Sequence, residues 1–196
     1  MVWGWGDGSG LRTWDTAVGR IGALICWEHY MPLARYALIA AGEQIHCSQF
    51  PGSMLGESMT RQIDAAIRHH AMESGAFVVN STCWLSEVQR KEIAPDPAMG
   101  RLLGGGLGTA IVAPDGAILA GPLGEGEDLA IAEIDLSAIV GRKLLLDTAG
   151  HYARPDLLGL RVDDRARHNV EPRIPEPGVH FQVPQAGSRS GESRGS

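Results

Sequence analysis

The chain has 196 residues, of which 44% are apolar, and a formal net charge of −6. This length suits one globular domain with a single core, and the acidic balance gives no basis for nucleic-acid binding. Three cysteines are present, and their odd number and irregular spacing indicate a reducing compartment rather than a disulfide framework.

The amino terminus carries no sign of an export signal. It reads Met-Val-Trp-Gly-Trp-Gly-Asp-Gly, without the basic region and apolar centre of a signal peptide. No window of the chain approaches the ~20 apolar residues that a membrane-spanning helix requires. We therefore predict a soluble, cytoplasmic protein with no membrane partner.

The first half of the chain alternates strands with helices. The predicted elements are a loop at residues 1–10, an edge strand at 11–16, a helix at 30–41, a helix at 57–74, and strands at 21–25, 44–50 and 76–80. The helix at 57–74 has the clearest pattern, because apolar residues recur on one helical face. Strands connected through helices pair in parallel, so this half predicts a parallel sheet.

The second half is less regular. It predicts a long loop at residues 82–106, a hairpin of strands 109–113 and 117–120, a strand at 129–134 and a helix at 137–146. From about residue 157 onward Gly, Pro, Ser and Arg dominate, with too little apolar surface to fold alone. We expect a folded part at 1–156 and an extended or disordered tail at 157–196.

One stretch combines a strand, a sharp turn and a helix around a cysteine. The apolar run at 21–25 is followed by Cys26, and a helix is predicted to begin near Pro32. A side chain at the carboxyl end of a buried strand points toward the crevice where such sheets bind ligands, and the following helix favours a thiolate. The alternative is that Cys26 is a small buried hydrophobic residue without chemistry.

The residues around Cys26 resemble the nucleophile segment of nitrilases, in the carbon–nitrogen hydrolase superfamily. Gly-Arg-Ile-Gly at 19–22 is followed by Cys-Trp-Glu-His-Tyr-Met-Pro-Leu-Ala-Arg at 26–35. Three further segments match the family in the same order, at residues 68–80, 104–106 and 150–155. A Trp-Glu pair after the cysteine is similar to the nitrilase branch rather than to the amidase branches.

The resemblance implies a fold and a reaction. The fold is an α/β, nitrilase-type α-β-β-α sandwich, here only in its carboxyl-terminal portion. The Cys26 thiolate is expected to attack a small-molecule nitrile, and two waters then release ammonia and a carboxylic acid. Trp27, Glu28 and His29 are expected to line the substrate pocket or the oxyanion site. Homo-oligomers, or association with full-length relatives, are the expected assemblies.

The chain also departs from the family. Nitrilases carry a Glu base, a Lys and a second Glu upstream of the cysteine, but only Asp7 and Asp15 are acidic before Cys26, and both lysines lie after it, at 91 and 143. Three hypotheses follow: a nitrile hydrolase completed by a partner or by further sequence, an inactive truncated fragment, and a noncatalytic subunit.

A metal site is the remaining chemical alternative. The candidate ligands are Cys26 with His29, His46 with Cys47, and His69 with His70. These pairs lack the repeated CxxC or HxxxH spacing of a zinc site, so we predict neither metal nor cofactor. His69 and His70 are expected on a partly exposed helix surface, and Cys47 and Cys83 in the core or a pocket wall.

Overall fold

The structure is a computed structural model that describes residues 6–167. At its centre is a six-stranded sheet in which the strand order follows the chain order. The strands are β1 (Trp14–Thr16), β2 (Gly19–Ile25), β3 (Ile45–Phe50), β4 (Phe77–Thr82), β5 (Ala110–Val112) and β6 (Ile118–Ala120). Strands β2, β3 and β4 are parallel, and the remaining neighbours are antiparallel.

Five helices accompany the sheet within the described residues. They are α1 (Pro32–Ala40), α2 (Gly56–Ser74), α3 (Glu87–Ile93), α4 (Pro97–Leu102) and α5 (Ser137–Leu145), with 3-10 turns at Gly8–Gly10 and Cys26–Tyr30. Helix α1 begins at Pro32, whose fixed φ and missing N–H suit a first helical turn. Helix α2 ends at Ser74 and is capped by Gly75, which takes the left-handed φ of +68° that closes a helix. Across residues 6–167, no helix is long and apolar enough to cross a bilayer.

The core lies between helix α2 and one face of the sheet. Its fully buried members come from α2 and from strands β3, β4 and β5: Phe50, Met59, Ile63, Ile67, Ala71, Val78, Ala110 and Val112. The residues from α2 fall on the single apolar face that the sequence pattern predicted. Burial of this stripe is what holds the long helix against the sheet.

The opposite face of the sheet is open among the described residues. Val79 is 38% exposed although Val78, its neighbour in β4, is fully buried, and Ile25 at the end of β2 is 59% exposed. Strand side chains alternate between the two faces, so these exposed residues share one side. The described residues therefore form the predicted α/β fold as one sheet with one helical layer, half of a four-layer sandwich.

The central elements were predicted correctly, but two segments were not. Residues 82–106 are not a simple loop, because Ser86 and Gln89 form a capping box that starts α3, and Asp96 caps α4. Residues 129–134 form no strand, since Leu129 and Ile131 stay exposed and no described strand pairs with them. Alternation alone does not make a strand without a neighbouring edge to pair with.

The predicted boundary at residues 156 and 157 falls in a region of turns, and residues 157–167 contain no helix or strand. It stays a prediction, because residues 168–196 of the proposed tail lie outside the described residues. The same holds for residues 1–5 of the predicted loop, whereas residues 8–10 form a 3-10 turn.

A pair of neighbouring valines tests the one-sided core. Val78→Ala should lower the free energy of unfolding by about 2 kcal/mol, because it removes two buried methyl groups and leaves a cavity. Val79→Ala, one residue away on the open face, should cost less than about 1 kcal/mol. Urea unfolding of both variants at low protein concentration measures the difference. Equal losses would contradict a core on one face only.

Candidate functional site

Cys26 lies at the elbow between β2 and α1. Strand β2 ends at Ile25, the 3-10 turn begins at Cys26, and α1 starts at Pro32. The backbone of Cys26 has a φ of +50°, a left-handed conformation that side-chain-bearing residues rarely adopt. Such strain at a strand-to-helix turn is typical of nucleophile elbows, where it exposes the reactive side chain.

Glu28 and Trp27 shape this turn through the main chain. The Ile25 N–H donates to Glu28 Oε2 at 2.8 Å, so the carboxylate closes the turn that carries the cysteine. The Trp27 N–H donates to the Cys26 sulfur, whereas the Trp27 indole is 56% exposed. Whether Trp27 and Glu28 also line a substrate pocket stays a prediction.

The protonation state of the Cys26 thiol follows from these surroundings. Burial raises its pKa, the hydrogen bond from the Trp27 N–H lowers it, and the charge of Glu28 raises it, so the pKa is raised overall. The thiol is therefore protonated at neutral pH. A base must remove this proton before the sulfur can act as a nucleophile.

His29 turns away from the thiol and into the protein interior. It is 1% exposed, its Nδ1 lies 2.8 Å from the Cys26 carbonyl oxygen, and its Nε2 lies 3.0 Å from His46 Nε2. Burial lowers the pKa of His29 to about 4, so the ring is neutral at pH 7. Both ring nitrogens are engaged within this buried network, and any pocket role of His29 stays a prediction.

The network continues to a fully buried carboxylate. Glu43 Oε2 lies 2.8 Å from His46 Nδ1, and Glu43 Oε1 lies 2.6 Å from His70 Nε2. Burial opposes ionisation of Glu43, but the two imidazole hydrogen bonds outweigh it and lower the Glu43 pKa to about 2. Gly22 in β2 faces this carboxylate so closely that a Cβ atom there would collide with Oε2. The space for the carboxylate depends on a residue without a side chain.

A tetrahedral zinc ion does not fit the atoms as they are spaced. Glu43, His46 and His70 bring three possible ligand atoms together. Zinc ligands at about 2.0–2.2 Å in tetrahedral geometry stand about 3.3 Å apart, whereas the carboxylate–imidazole separations here are 2.6 and 2.8 Å. These are hydrogen-bond distances, and each carboxylate oxygen already has one imidazole donor. The cluster is a hydrogen-bond network.

The sequence reasoning missed this network. His70 was expected on a partly exposed helix surface, which is wrong, because it is fully buried; its neighbour His69 is exposed, as predicted. The spacing of α2 held the signal, since His70 follows Ile63 and Ile67 on the buried face. Glu43 carried no signal of its own, because an acidic residue after a helix is normally solvated.

The two other cysteines are both exposed. Cys47 and Cys83 were expected in the core or in a pocket wall. The core position is wrong, and the pocket-wall position stays a prediction. Cys47 lies on the open face of β3, opposite the buried residues of the same strand. A cysteine is among the most buried residue types on average, but strand alternation decides its side here.

Comparison with known proteins supports a relationship along most of the chain. The family model described as carbon-nitrogen hydrolase matches residues 1–143. The chain is 54% identical to a nitrilase of Paraburkholderia phymatum, over 88% of this chain and 51% of that protein. It is 52% identical to a nitrilase 3 from an unknown prokaryotic organism, over 90% of this chain and 54% of that protein. The chain thus spans about half the length of these relatives.

The fold has counterparts among solved structures. The crystal structure of the C. elegans NitFhit protein matches with a TM-score of 0.63 at 23% identity, over 81% of this chain and 34% of that one. At this identity the match concerns the fold alone.

Glu28 offers a test of the thiol's electrostatics. Glu28→Gln keeps an oxygen to accept from the Ile25 N–H but removes the charge, so the pKa of Cys26 should fall. The rate of Cys26 alkylation by iodoacetamide, followed against pH by peptide mass spectrometry, gives that pKa. Glu87→Gln, a charge removed from helix α3, is the matched control and should leave the midpoint unchanged. An unchanged midpoint in Glu28→Gln would contradict the assigned influence.

Proposed function

This chain belongs to the carbon–nitrogen hydrolase family, and on that premise we propose that it supplies the nucleophile half of a nitrilase. The substrate is a small nitrile, and the products are a carboxylic acid and ammonia. One observation carries the proposal: Cys26 sits at a strained strand-to-helix elbow, with a φ of +50°, within the segment that matches the family. The nitrilase relatives, at 54% and 52% identity, support the choice of nitrile over amide.

The proposed reaction runs through a covalent intermediate on Cys26. The sulfur forms a bond to the nitrile carbon, and the nitrile nitrogen takes up a proton to give a thioimidate. Water adds to that carbon, the carbon–nitrogen bond breaks, and ammonia leaves a thioester behind. A second water breaks the carbon–sulfur bond, which releases the carboxylic acid and restores the thiol.

The residues near the elbow do not supply the base for this reaction. His29 has both ring nitrogens in the buried network and a pKa lowered to about 4. Glu28 accepts a hydrogen bond from the turn's own main chain. Lys91, a candidate cation, lies on α3 and pairs with Glu87 at 2.6 Å. In the proposal, the Glu base and the Lys of the family come from polypeptide that corresponds to the other half of the relatives.

The open face of the sheet is the proposed place for that polypeptide. Ile25, which precedes the nucleophile, and Val79 project from this face and are 59% and 38% exposed. A second sheet packed there would bury both side chains and complete a four-layer sandwich. It would also bring new side chains to the carboxyl end of β2, where Cys26 lies.

A noncatalytic role is the second candidate. The observation in its favour is that the Cys26 pKa is raised, so the thiol is protonated at neutral pH without an added base. In this reading the chain joins full-length relatives and contributes only its folded surface. The two candidates differ in whether Cys26 is needed for turnover.

Co-expression separates the two candidates. The chain should be produced with the upstream half of the Paraburkholderia phymatum nitrilase, and ammonia and acid release measured from one aliphatic and one aromatic nitrile. We expect activity that Cys26→Ala lowers by at least about 10³-fold, because the covalent step is lost. Cys83→Ser, at an exposed cysteine, is the control and should keep most of the activity.

The outcome that contradicts the proposal is equally definite. If a stable complex forms and releases no ammonia, or if Cys26→Ala retains full activity, Cys26 is not the nucleophile of a nitrile hydrolase. The chain purified without the upstream half should be inactive in the same assay, because the described residues leave the Cys26 thiol without a base.

A further inference from the structure

A continuous line of hydrogen bonds joins the nucleophile elbow to the buried carboxylate. From the elbow inward, the contacts are Cys26 O to His29 Nδ1 at 2.8 Å, His29 Nε2 to His46 Nε2 at 3.0 Å, and His46 Nδ1 to Glu43 Oε2 at 2.8 Å. Both rings and the carboxylate are buried. We call this series the elbow chain.

The number of protons in the elbow chain follows from its two ends. The Cys26 carbonyl can only accept a hydrogen bond, and an ionised Glu43 carboxylate can only accept as well. Three contacts between these ends require three N–H groups. Two neutral imidazoles supply only two, since each carries one N–H and one lone pair.

We propose that the elbow chain holds one proton more than two neutral imidazoles supply, carried as a His46 imidazolium paired with Glu43, and that this proton fixes the Cys26 elbow. His29 then donates from Nδ1 to the Cys26 carbonyl and accepts at Nε2 from His46. His46 donates from both nitrogens. Every contact has one donor and one acceptor, and the buried pair has no net charge.

The count of donors and acceptors, and not the charges around His46, carries this placement of the proton. Burial, the largest effect, lowers the pKa of His46, and the charge of His70 lowers it too. The hydrogen bond and charge of Glu43 raise it, and the pKa is lowered overall. His70 stands on α2 and donates to the other carboxylate oxygen at 2.6 Å. Arg35 on α1 donates to the His29 carbonyl and pairs with Glu73, and its positive charge lowers the pKa of His29. His29 is the less basic ring, with a pKa of about 4.

Loss of this proton has a structural consequence at the elbow. Without it, one of the three contacts joins two lone pairs at 3 Å or less and must open. We expect the contact between His29 Nδ1 and the Cys26 carbonyl oxygen to be the one that opens. It lies at the end of the elbow chain nearest the protein surface, where the backbone of Cys26 already holds a φ of +50°. His29, His46 and Glu43 are thus positioning residues that act on the thiol through the main chain.

One substitution separates the role of the proton from that of the hydrogen bonds. In Glu43→Gln, the amide oxygen can accept from His70 while the amide nitrogen donates to His46 Nδ1. His46 then donates from Nε2 to His29, which donates to the Cys26 carbonyl. All contacts are kept with neutral rings, so this variant should retain the elbow without the extra proton. Glu43→Ala removes both the proton and the connection.

The first experiment reads the proton directly. Nitrogen-15 NMR of the histidine rings in the full chain, assigned with a His46→Gln variant, should show both His46 nitrogens protonated at neutral pH. In Glu43→Gln only one should be protonated. A wild-type spectrum with one N–H on each of His29 and His46 overturns the proposal, as does a bound zinc ion whose removal by a chelator shifts these signals.

The second experiment uses stability against pH. The folded wild-type chain keeps a proton that the unfolded chain releases above about pH 6.5, so its stability should fall as the pH rises from there. Glu43→Gln binds no extra proton when folded and lacks this loss. Between about pH 7 and about pH 9.5 the thermal midpoint of the wild type should fall by several degrees more than that of the variant. Parallel curves overturn the proposal.

The third experiment reads the elbow itself. Alkylation of Cys26 by iodoacetamide at pH 7, resolved by peptide mass spectrometry, should be within about twofold of wild type in Glu43→Gln. It should rise at least fivefold in Glu43→Ala, because the thiol loses the burial that raises its pKa. Exposed Cys83 in the same sample is the internal control.

Ser48→Ala provides the matched control for general damage to the core. It lies two residues beyond His46 on the same face of β3, and its hydroxyl donates to Asn80 at 2.6 Å. It should destabilise the protein without changing Cys26 alkylation. A fivefold rise in the rate of Cys26 alkylation in Ser48→Ala, or in Glu43→Gln, overturns the positioning role.

The inference rests on the proposed function only for its meaning in catalysis. All three experiments are carried out without a nitrile substrate, so their outcome does not depend on whether the chain hydrolyses nitriles.

Discussion

The Glu43 carboxylate is the interaction on which the site depends. It lies just before β3, accepts from His46 in β3 and from His70 in α2, and reaches the elbow through His29. An isolated carboxylate in this position would be costly to bury, so the imidazole donors are what permit it. One side chain thereby fixes a strand, a helix and a turn relative to one another. The apolar core around α2 supplies the stability, and this polar network supplies the geometry.

The elbow and the core are built from adjacent positions with different tasks. Cys26 directly follows β2, and Phe50 ends the neighbouring parallel strand β3. Cys26 packs partly against the same apolar cluster that contains Phe50. Cys26 is only partly buried, so the thiol is packed against the core on one side and accessible on another. The core thus holds the thiol in place, while its burial raises the pKa and keeps the sulfur protonated.

Much of the fold could be predicted from the sequence, because periodicity encodes burial. The spacing of Met59, Ile63 and Ile67 located α2, and the run ending at Cys26 located β2. Residues 129–134 were predicted wrongly, because alternation says nothing about whether a partner strand exists. The Glu43 network was missed for a related reason: a buried polar residue is defined by distant partners, and His46 and His70 lie far apart in the sequence.

Gly22 has a consequence that extends beyond this molecule. Its missing side chain is the room in which the Glu43 carboxylate sits, so any larger residue at 22 would expel the acid from the core. The residues at positions 22 and 43 are therefore expected to co-vary. Across related genes, a glycine at the first should accompany a glutamate at the second, and lineages that abandon one should be free to abandon the other.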